Sequence, residues 1–280
     1  MLFDPIWSVY EPSKFEMIGR VHALLRHEQR EPDAGPASDA ARDGFPITVD
    51  GGIAVVPLIG GMIRRAGRFA QFFGLAGTDA TRMAIESAIA DDEVQQILIR
   101  VDSPGGSVSG IDQLANTIAT STKPITAIVE GMAASAAYFA ISGADRIIMG
   151  GSDLVGSIGV RIMLYDYSQY FAKEGIEAVP IDTGEFKSAG AMGTKITDAQ
   201  RADFQRIVDF YFDDFIKAIV DGRKIEEDIV KTFADGRVFT RTEAIELGLV
   251  DGVGTYREVL SDLRSKISRR TDSSRARLRI

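Results

Sequence analysis

A mainly parallel α/β sheet is the fold class that this 280-residue chain predicts. Three features point to it: short apolar runs rich in β-branched residues, helical patterns lying between them, and turn residues closing each run. The runs are GIAVVPLIG (52–60), QQILIRVDSP (95–104), PITAIVEG (124–131) and DRIIMG (145–150). Their apolar residues are continuous rather than alternating, which suits strands covered on both faces. Repetition of strand, helix and strand implies right-handed crossovers. Sites in such sheets gather where strand C-termini meet helix N-termini.

Each element has its own warrant. Residues 12–27, PSKFEMIGRVHALLRH, place Phe15, Ile18, Val21, Leu24 and Leu25 at helical spacing, so residues 1–27 are read as a segment carrying a short amphipathic helix. Residues 28–46 are rich in Pro, Gly, Ala and charge and read as a flexible linker. The globular body is expected over 47–260. Within it, TDATRMAIESAIADDE (78–93) reads as a helix capped by Thr78 or Asp79. GSVSGIDQLANTIATS (106–121) puts Val108, Ile111, Leu114 and Ile118 on one face. A long helix over 197–223 carries Phe204, Ile207, Val208, Tyr211, Phe215, Ile219 and Val220, a pattern that suits a packed face and also a subunit contact. Residues 261–280 are basic and polar and are expected to form a frayed or disordered tail.

Composition narrows the chemistry. A hydrophobic content of 45% with 26% charged residues is that of an ordinary globular protein. A formal charge of −8 argues against general nucleic-acid affinity, because phosphate binding wants a basic face. There is no cysteine, which excludes disulfides, thiolate nucleophiles and Cys-based metal sites. No run approaches the roughly 18 apolar residues that span a bilayer. The first twenty residues lack the apolar core of a secretory leader, so a soluble, cytoplasmic protein is the expectation.

Two strand-to-helix junctions are candidate sites. In VDSPGGSVSG (101–110), Gly105-Gly106 lets the backbone turn sharply and bring N–H groups close to a ligand. A plain turn would look the same. In GMAASAAYFA (131–140), Ser135 stands between the third apolar run and an apolar helix. A hydroxyl there lies at the positive end of the helix dipole, which suits a nucleophile whose attack creates an oxyanion. It suits an N-cap serine equally.

The proton acceptor is more informative. Only His22 and His27 are present, both before the linker, so a histidine-based triad would need that segment to fold back onto the body. The remaining candidate is a lysine neutralised by burial, which costs on the order of 4 kcal/mol for a three-unit drop and demands a dry, apolar site. The alanines around Ser135 would supply such walls. Lys173, Lys217, Lys224 and Lys231 lie in charged helical surroundings, Lys14 and Lys266 lie outside the body, and Lys123 sits in a turn before Pro124. Lys187, in DTGEFKSAGAMG, lies on a Gly-rich loop able to fold over a cleft, and Lys195 is close by. A surface lysine on a flexible loop fits that sequence as well.

Taken together, these residues resemble the signal-peptide-peptidase A family of serine/lysine peptidases. The matching segments are ILIRVDSPGGSVSG, GMAASAAYFAISGADRI, DLVGSIGV (153–160), TGEFKSAG (183–190) and ADGRVFTRTEAIELGLVDGVG (234–254), in the family's order. The resemblance implies the Clp-protease/crotonase fold, a superhelix of β-β-α units. It implies Ser135 as nucleophile, Lys187 as general base and Ser157 as the hydroxyl that orients the lysine. It also implies an oxyanion hole from the backbone of Gly105-Gly106 and Ser135-Ala136. No cofactor or metal is implied, and no Gly-Lys-Ser/Thr phosphate loop or His-Glu-x-x-His helix occurs.

Two departures stand out. Members usually have Ser-Gly-Gly where this chain has Ser135-Ala136-Ala137, and cellular members generally carry a membrane anchor. The N-terminal segment with Trp7 instead resembles the phage head-maturation peptidases of the family. These process scaffold and capsid proteins, which places the activity in host cytoplasm or prohead interior. The expected partners are a peptide or protein substrate and further copies of the chain in a homo-oligomer. Alternatives are a cellular signal-peptide-peptidase-like protease, a crotonase-like acyl-CoA enzyme that does not need the Ser135/Lys187 pair, and a non-catalytic assembly factor.

Overall fold

The computed structural model describes residues 6–9, 47–67 and 74–277. The helix expected over 12–27, with His22 and His27, and the linker at 28–46 lie outside them. The described residues open with β1 (Ile6–Val9) and resume at β2 (Thr48–Asp50), β3 (Ile53–Ile59), β4 (Gly61–Ile63) and β5 (Leu75–Gly77). Next come α1 (Thr78–Ala90), β6 (Gln96–Ser103), β7 (Gly105–Ser107), α2 (Ile111–Ala119), β8 (Ile125–Ala134) and α3 (Ala136–Ile141). The second half holds β9 (Arg146–Met149), β10 (Leu154–Gly156), β11 (Arg161–Ile162), α4 (Ser168–Lys173), α5 (Asp198–Arg223) and α6 (Glu227–Phe233). It closes with β12 (Val238–Phe239), α7 (Arg241–Glu246), β13 (Gly252–Val253) and α8 (Tyr256–Arg277).

The four apolar runs become β3, β6, β8 and β9. β6 lies between β3 and β8, and all three run parallel. β8 then forks: Thr126–Val129 pair with β9 and Met132–Ala134 with β10, both parallel. Antiparallel pairs with β2 and β12 extend the sheet at its margins. This mixed α/β architecture with a mainly parallel centre matches the Clp-protease/crotonase-like class.

The continuous apolar runs follow from burial on two faces. Ala54, Val56, Ile97, Ile99, Val101, Ala127 and Val129 pack into one core with residues of α1, α2 and α3. Their neighbours Ile53, Leu98 and Ile128 face the other way, against Val259 and Leu263 of α8. α8 therefore overturns the expectation of a disordered tail at 261–280: the helix continues to Arg277. Polar composition misled because it counts residues rather than contacts. Burying Val259 and Leu263 contributes roughly 2 kcal/mol each. The half-exposed pairs Arg146–Asp262 (2.7 Å) and Lys266–Asp262 (3.0 Å) add well under about 1 kcal/mol apiece.

The cap of α1 also differs from expectation. Gly77 occupies the N-cap, no side chain caps the helix, and the Thr78 hydroxyl reaches instead toward the carbonyl of Ser109 (3.5 Å). On α5 the apolar pattern is a packed face in its C-terminal half, where Phe215, Ile216 and Ile219 are buried. Further toward the N-terminus Phe210 is 60% exposed. Among the described residues no helix is long and apolar enough to cross a membrane.

Candidate active site

The site is built where β8 ends and α3 begins. Ser135 has φ 54° and ψ −124°, outside the ordinary basins of an L-residue, and is 1% exposed. Such strain costs on the order of 1–3 kcal/mol and persists only where its surroundings impose it. Here they do. The Ser135 N–H donates to the carbonyl of Gly156 (2.7 Å), and its own carbonyl accepts from Phe139 N–H (2.9 Å). Ser135 holds the N-cap position, yet its side chain makes no capping hydrogen bond. The hydroxyl is thus left at a strained strand-to-helix elbow, a device that presents nucleophiles in α/β hydrolases.

The same backbone bond gathers a second serine. Parallel pairing sets Gly156 opposite Ala134, so Ser157 follows alongside Ser135. Ser157 also has a positive φ (49°) and donates its N–H to the carbonyl of Arg237 (2.7 Å), which pins it against β12. Among the described non-glycine residues, the only other positive φ belongs to Lys224, at the end of α5. Backbone strain therefore concentrates on the two serines.

α3 is held by a polar anchor that the sequence reading missed. Tyr138, fully buried, donates its hydroxyl to the carbonyl of Leu249 (2.8 Å). Burial pushes its phenol well above the ordinary range, so it remains a donor. The pattern AAYFA shows an apolar helix but gives no hint of a carbonyl more than a hundred residues away.

The Gly105-Gly106 turn lies beside this elbow, with β7 packed against α3. Gly105 has φ 89° and gives its N–H to the Ser103 hydroxyl (3.2 Å). That amide is therefore engaged within the turn, while Gly106 pairs with Ser8 of β1 and Met62 of β4. Gly106 admits no side chain, because a Cβ there would lie 1.9 Å from the carbonyl oxygen of Met62 on β4. Gly106→Ala is expected to destabilise the fold by about 3 kcal/mol, read from the urea midpoint. An unchanged midpoint would refute the close approach.

Lys187 stands apart. It is exposed, in a turn closed by its own N–H to the carbonyl of Gly184 (3.1 Å). Gln200, whose backbone N–H is capped by Thr197, ties the turn to α5 by donating its side-chain amide to the Glu185 carbonyl (2.8 Å). Among the described residues no hydrogen bond joins Lys187 to Ser135 or Ser157, whereas backbone bonds tie the two serines to one another through Gly156. The dry surroundings expected for the base are absent around Lys187 in the single chain. Several other lysines have partners. Lys123 donates to the Ala88 carbonyl at the end of α1 (3.0 Å), Lys217 pairs with Asp221 (2.7 Å), and Lys231 pairs with Glu227 (2.5 Å).

A pocket of about 380 Å³ opens next to the elbow, lined by Ala136 and Phe139 of α3, Val108, Val160, and Tyr211 and Phe215 of α5. Its walls are mixed, with Arg64, Ser109, Asp112, Gln113 and Asp214 also lining it.

An elbow serine, a glycine turn and a forked parallel sheet together define a hydrolase-like α/β site, and comparison with known proteins says which kind. The model of peptidase family S49 matches residues 117–268, and that of Clp protease matches residues 81–151. The chain belongs to peptidase family S49. It is 30% identical over 71% of its length to the head-tail preconnector protein GP5 of Enterobacteria phage P21, covering 40% of that protein. To the capsid assembly protease C of Escherichia phage lambda it is 27% identical over 83% of its length, covering 53% of that protein. With protease 4 of Haemophilus influenzae it shares 28% identity over 71% of its length and 33% of that chain. The matches thus span about a third to a half of these relatives.

Proposed function

We propose that the protein is a serine endopeptidase in which Ser135 is the nucleophile, Lys187 the general base and Ser157 the hydroxyl that orients the lysine. The observation that carries this reading is the strained, uncapped Ser135 hydroxyl at a helix N-terminus, with Ser157 fixed alongside by the Gly156 carbonyl. A structural serine has no need of either feature. In the first step neutral Lys187 takes the Ser135 proton as the hydroxyl oxygen attacks the scissile carbonyl. The Gly106 and Ala136 amides hold the resulting oxyanion, and the lysine ammonium protonates the departing amine. Water then repeats the sequence on the acyl-enzyme.

The lysine must reach the serine and lose water. Its turn lies in a stretch with many exposed large apolar side chains, among them Tyr165 (67%), Val179 (70%), Ile181 (95%) and Met192 (68%). We place a second copy of the chain over this stretch. Homo-oligomerisation would bury the apolar residues, desolvate the Lys187 amine and close the dyad. Activity should therefore rise with protein concentration in step with the assembled fraction.

For the substrate, we favour proteins of a viral head, scaffold or capsid, acted on in the host cytoplasm or prohead. The similarity to the lambda capsid assembly protease C covers 83% of this chain, against 71% for protease 4 of Haemophilus influenzae. Mass spectrometry of a capsid or scaffold protein from the same phage genome after incubation should reveal discrete internal cuts, absent with Ser135→Ala. Cleavage of generic unfolded peptides with no cut in the head proteins would favour a housekeeping peptidase instead.

A further inference from the structure

The smaller sheet holds a strand that the activity does not require. Its order is β11, β1, β7, β4, β5, so β1 lies between the strand of the glycine turn and the strand that follows Ser157. It is antiparallel to both. Trp7, Ser8 and Val9 stand opposite Ser107, Gly106 and Gly105, while Ile6 and Trp7 stand opposite Ile162 and Arg161. A four-residue piece far from the domain in sequence thus fills a slot whose two walls are candidate parts of the catalytic site. Its carboxyl-terminal end, Val9, lies opposite the oxyanion turn.

Without β1, β7 and β11 would each present unpaired N–H and C=O groups. Two such edges accept an extended peptide through main-chain hydrogen bonds whatever its sequence. We propose that Ile6–Val9 is a resident pseudo-substrate, a strand of the chain itself lying in the peptide-acceptor groove. A substrate segment must displace it to pair with β7 and β11. This rests on the peptidase reading for the identity of the groove and adds its regulation: the site is closed to peptides until the N-terminal strand leaves. Tethering favours the resident strand, since a linked segment competes at a local concentration of order millimolar. The pairing spans only four residues, so exchange with an unfolded substrate segment remains within reach.

Binding can be separated from chemistry. A fluorescein-labelled peptide of residues 2–11, LFDPIWSVYE, is titrated by polarisation into the full chain carrying Ser135→Ala, with and without Trp7→Pro. Trp7 belongs to both ladders, and proline there removes a backbone donor and disrupts the pleat. The Trp7→Pro chain should bind the peptide at least about tenfold tighter, as expected when a tethered competitor is removed. Equal or weaker binding, or none by either chain, overturns the proposal.

Should Trp7→Pro fail to fold, a lock replaces it. The chain has no cysteine, and residues opposite each other in an antiparallel pair lie within disulfide range. Trp7→Cys with Arg161→Cys, oxidised, should bind the peptide at least about tenfold more weakly than the same protein reduced. Identical binding in both states overturns the inference. Fluorophosphonate labelling of the reduced cysteine-pair chain, or of the Trp7→Pro chain with Ser135 intact, reports on the peptidase reading alone. Labelling at Ser135 without the peptide effect sinks the strand's role and spares the enzyme. No labelling sinks the enzyme.

Discussion

Ser135→Ala is expected to reduce peptide cleavage at least about 10⁴-fold in kcat, the scale on which loss of a nucleophile acts in other serine hydrolases. The fold should survive. The Ser135 backbone bonds to Gly156 and Phe139 do not involve the hydroxyl, and the side chain caps nothing. Alanine at φ 54° bears strain similar to that of serine, since the penalty arises at Cβ. The unfolding midpoint should thus stay close to that of the parent while turnover vanishes. A normal rate in the folded variant would return Ser135 to the role of a packing residue among alanines.

Lys187→Ala is expected to be nearly as damaging, and the pattern around it is diagnostic. Residues that act as one unit are not additive: the Ser135→Ala/Lys187→Ala double variant should lose no more than the worse single variant. Lys187→Arg should remain inactive, because a guanidinium keeps its charge and cannot take a proton at working pH. Recovery with arginine would instead assign the position to binding a substrate anion. Lys187 is exposed and held to the domain through its turn and the Gln200–Glu185 bond. Its removal should therefore leave stability within about 0.5 kcal/mol of the parent, as for most surface substitutions.

The fold was largely legible because the central strands are covered on two faces. Continuous apolar runs at β3, β6, β8 and β9 reflect residues such as Ala54 and Ile53 pointing into opposite cores. Local patterns do not record contacts made at a distance, and the misses follow from that. α8 reads as a polar tail because only a few of its side chains, Val259 and Leu263 among them, are fully buried. α1 lacks the cap that Thr78 suggests, because Thr78 turns toward Ser109 on another segment. At the site, Ser135 and the glycine turn were readable from their places after apolar strands. The engagement of the Gly105 amide by Ser103 was not, since it depends on the fold of the turn. The four residues of β1 carry a β-rich composition, Ile-Trp-Ser-Val, yet nothing local says which strands receive them. Lys187 was singled out by elimination and by resemblance. Its exposure in the single chain is what makes assembly part of the proposed mechanism.

Labelling the intact chain with a fluorophosphonate and mapping the adduct by peptide mass spectrometry tests the nucleophile most directly. The experiment is run over a range of protein concentrations, alongside Lys187→Ala. The account predicts one adduct, on Ser135, formed much faster in the parent than in Lys187→Ala. An adduct on a different serine, or none at any concentration, would contradict it.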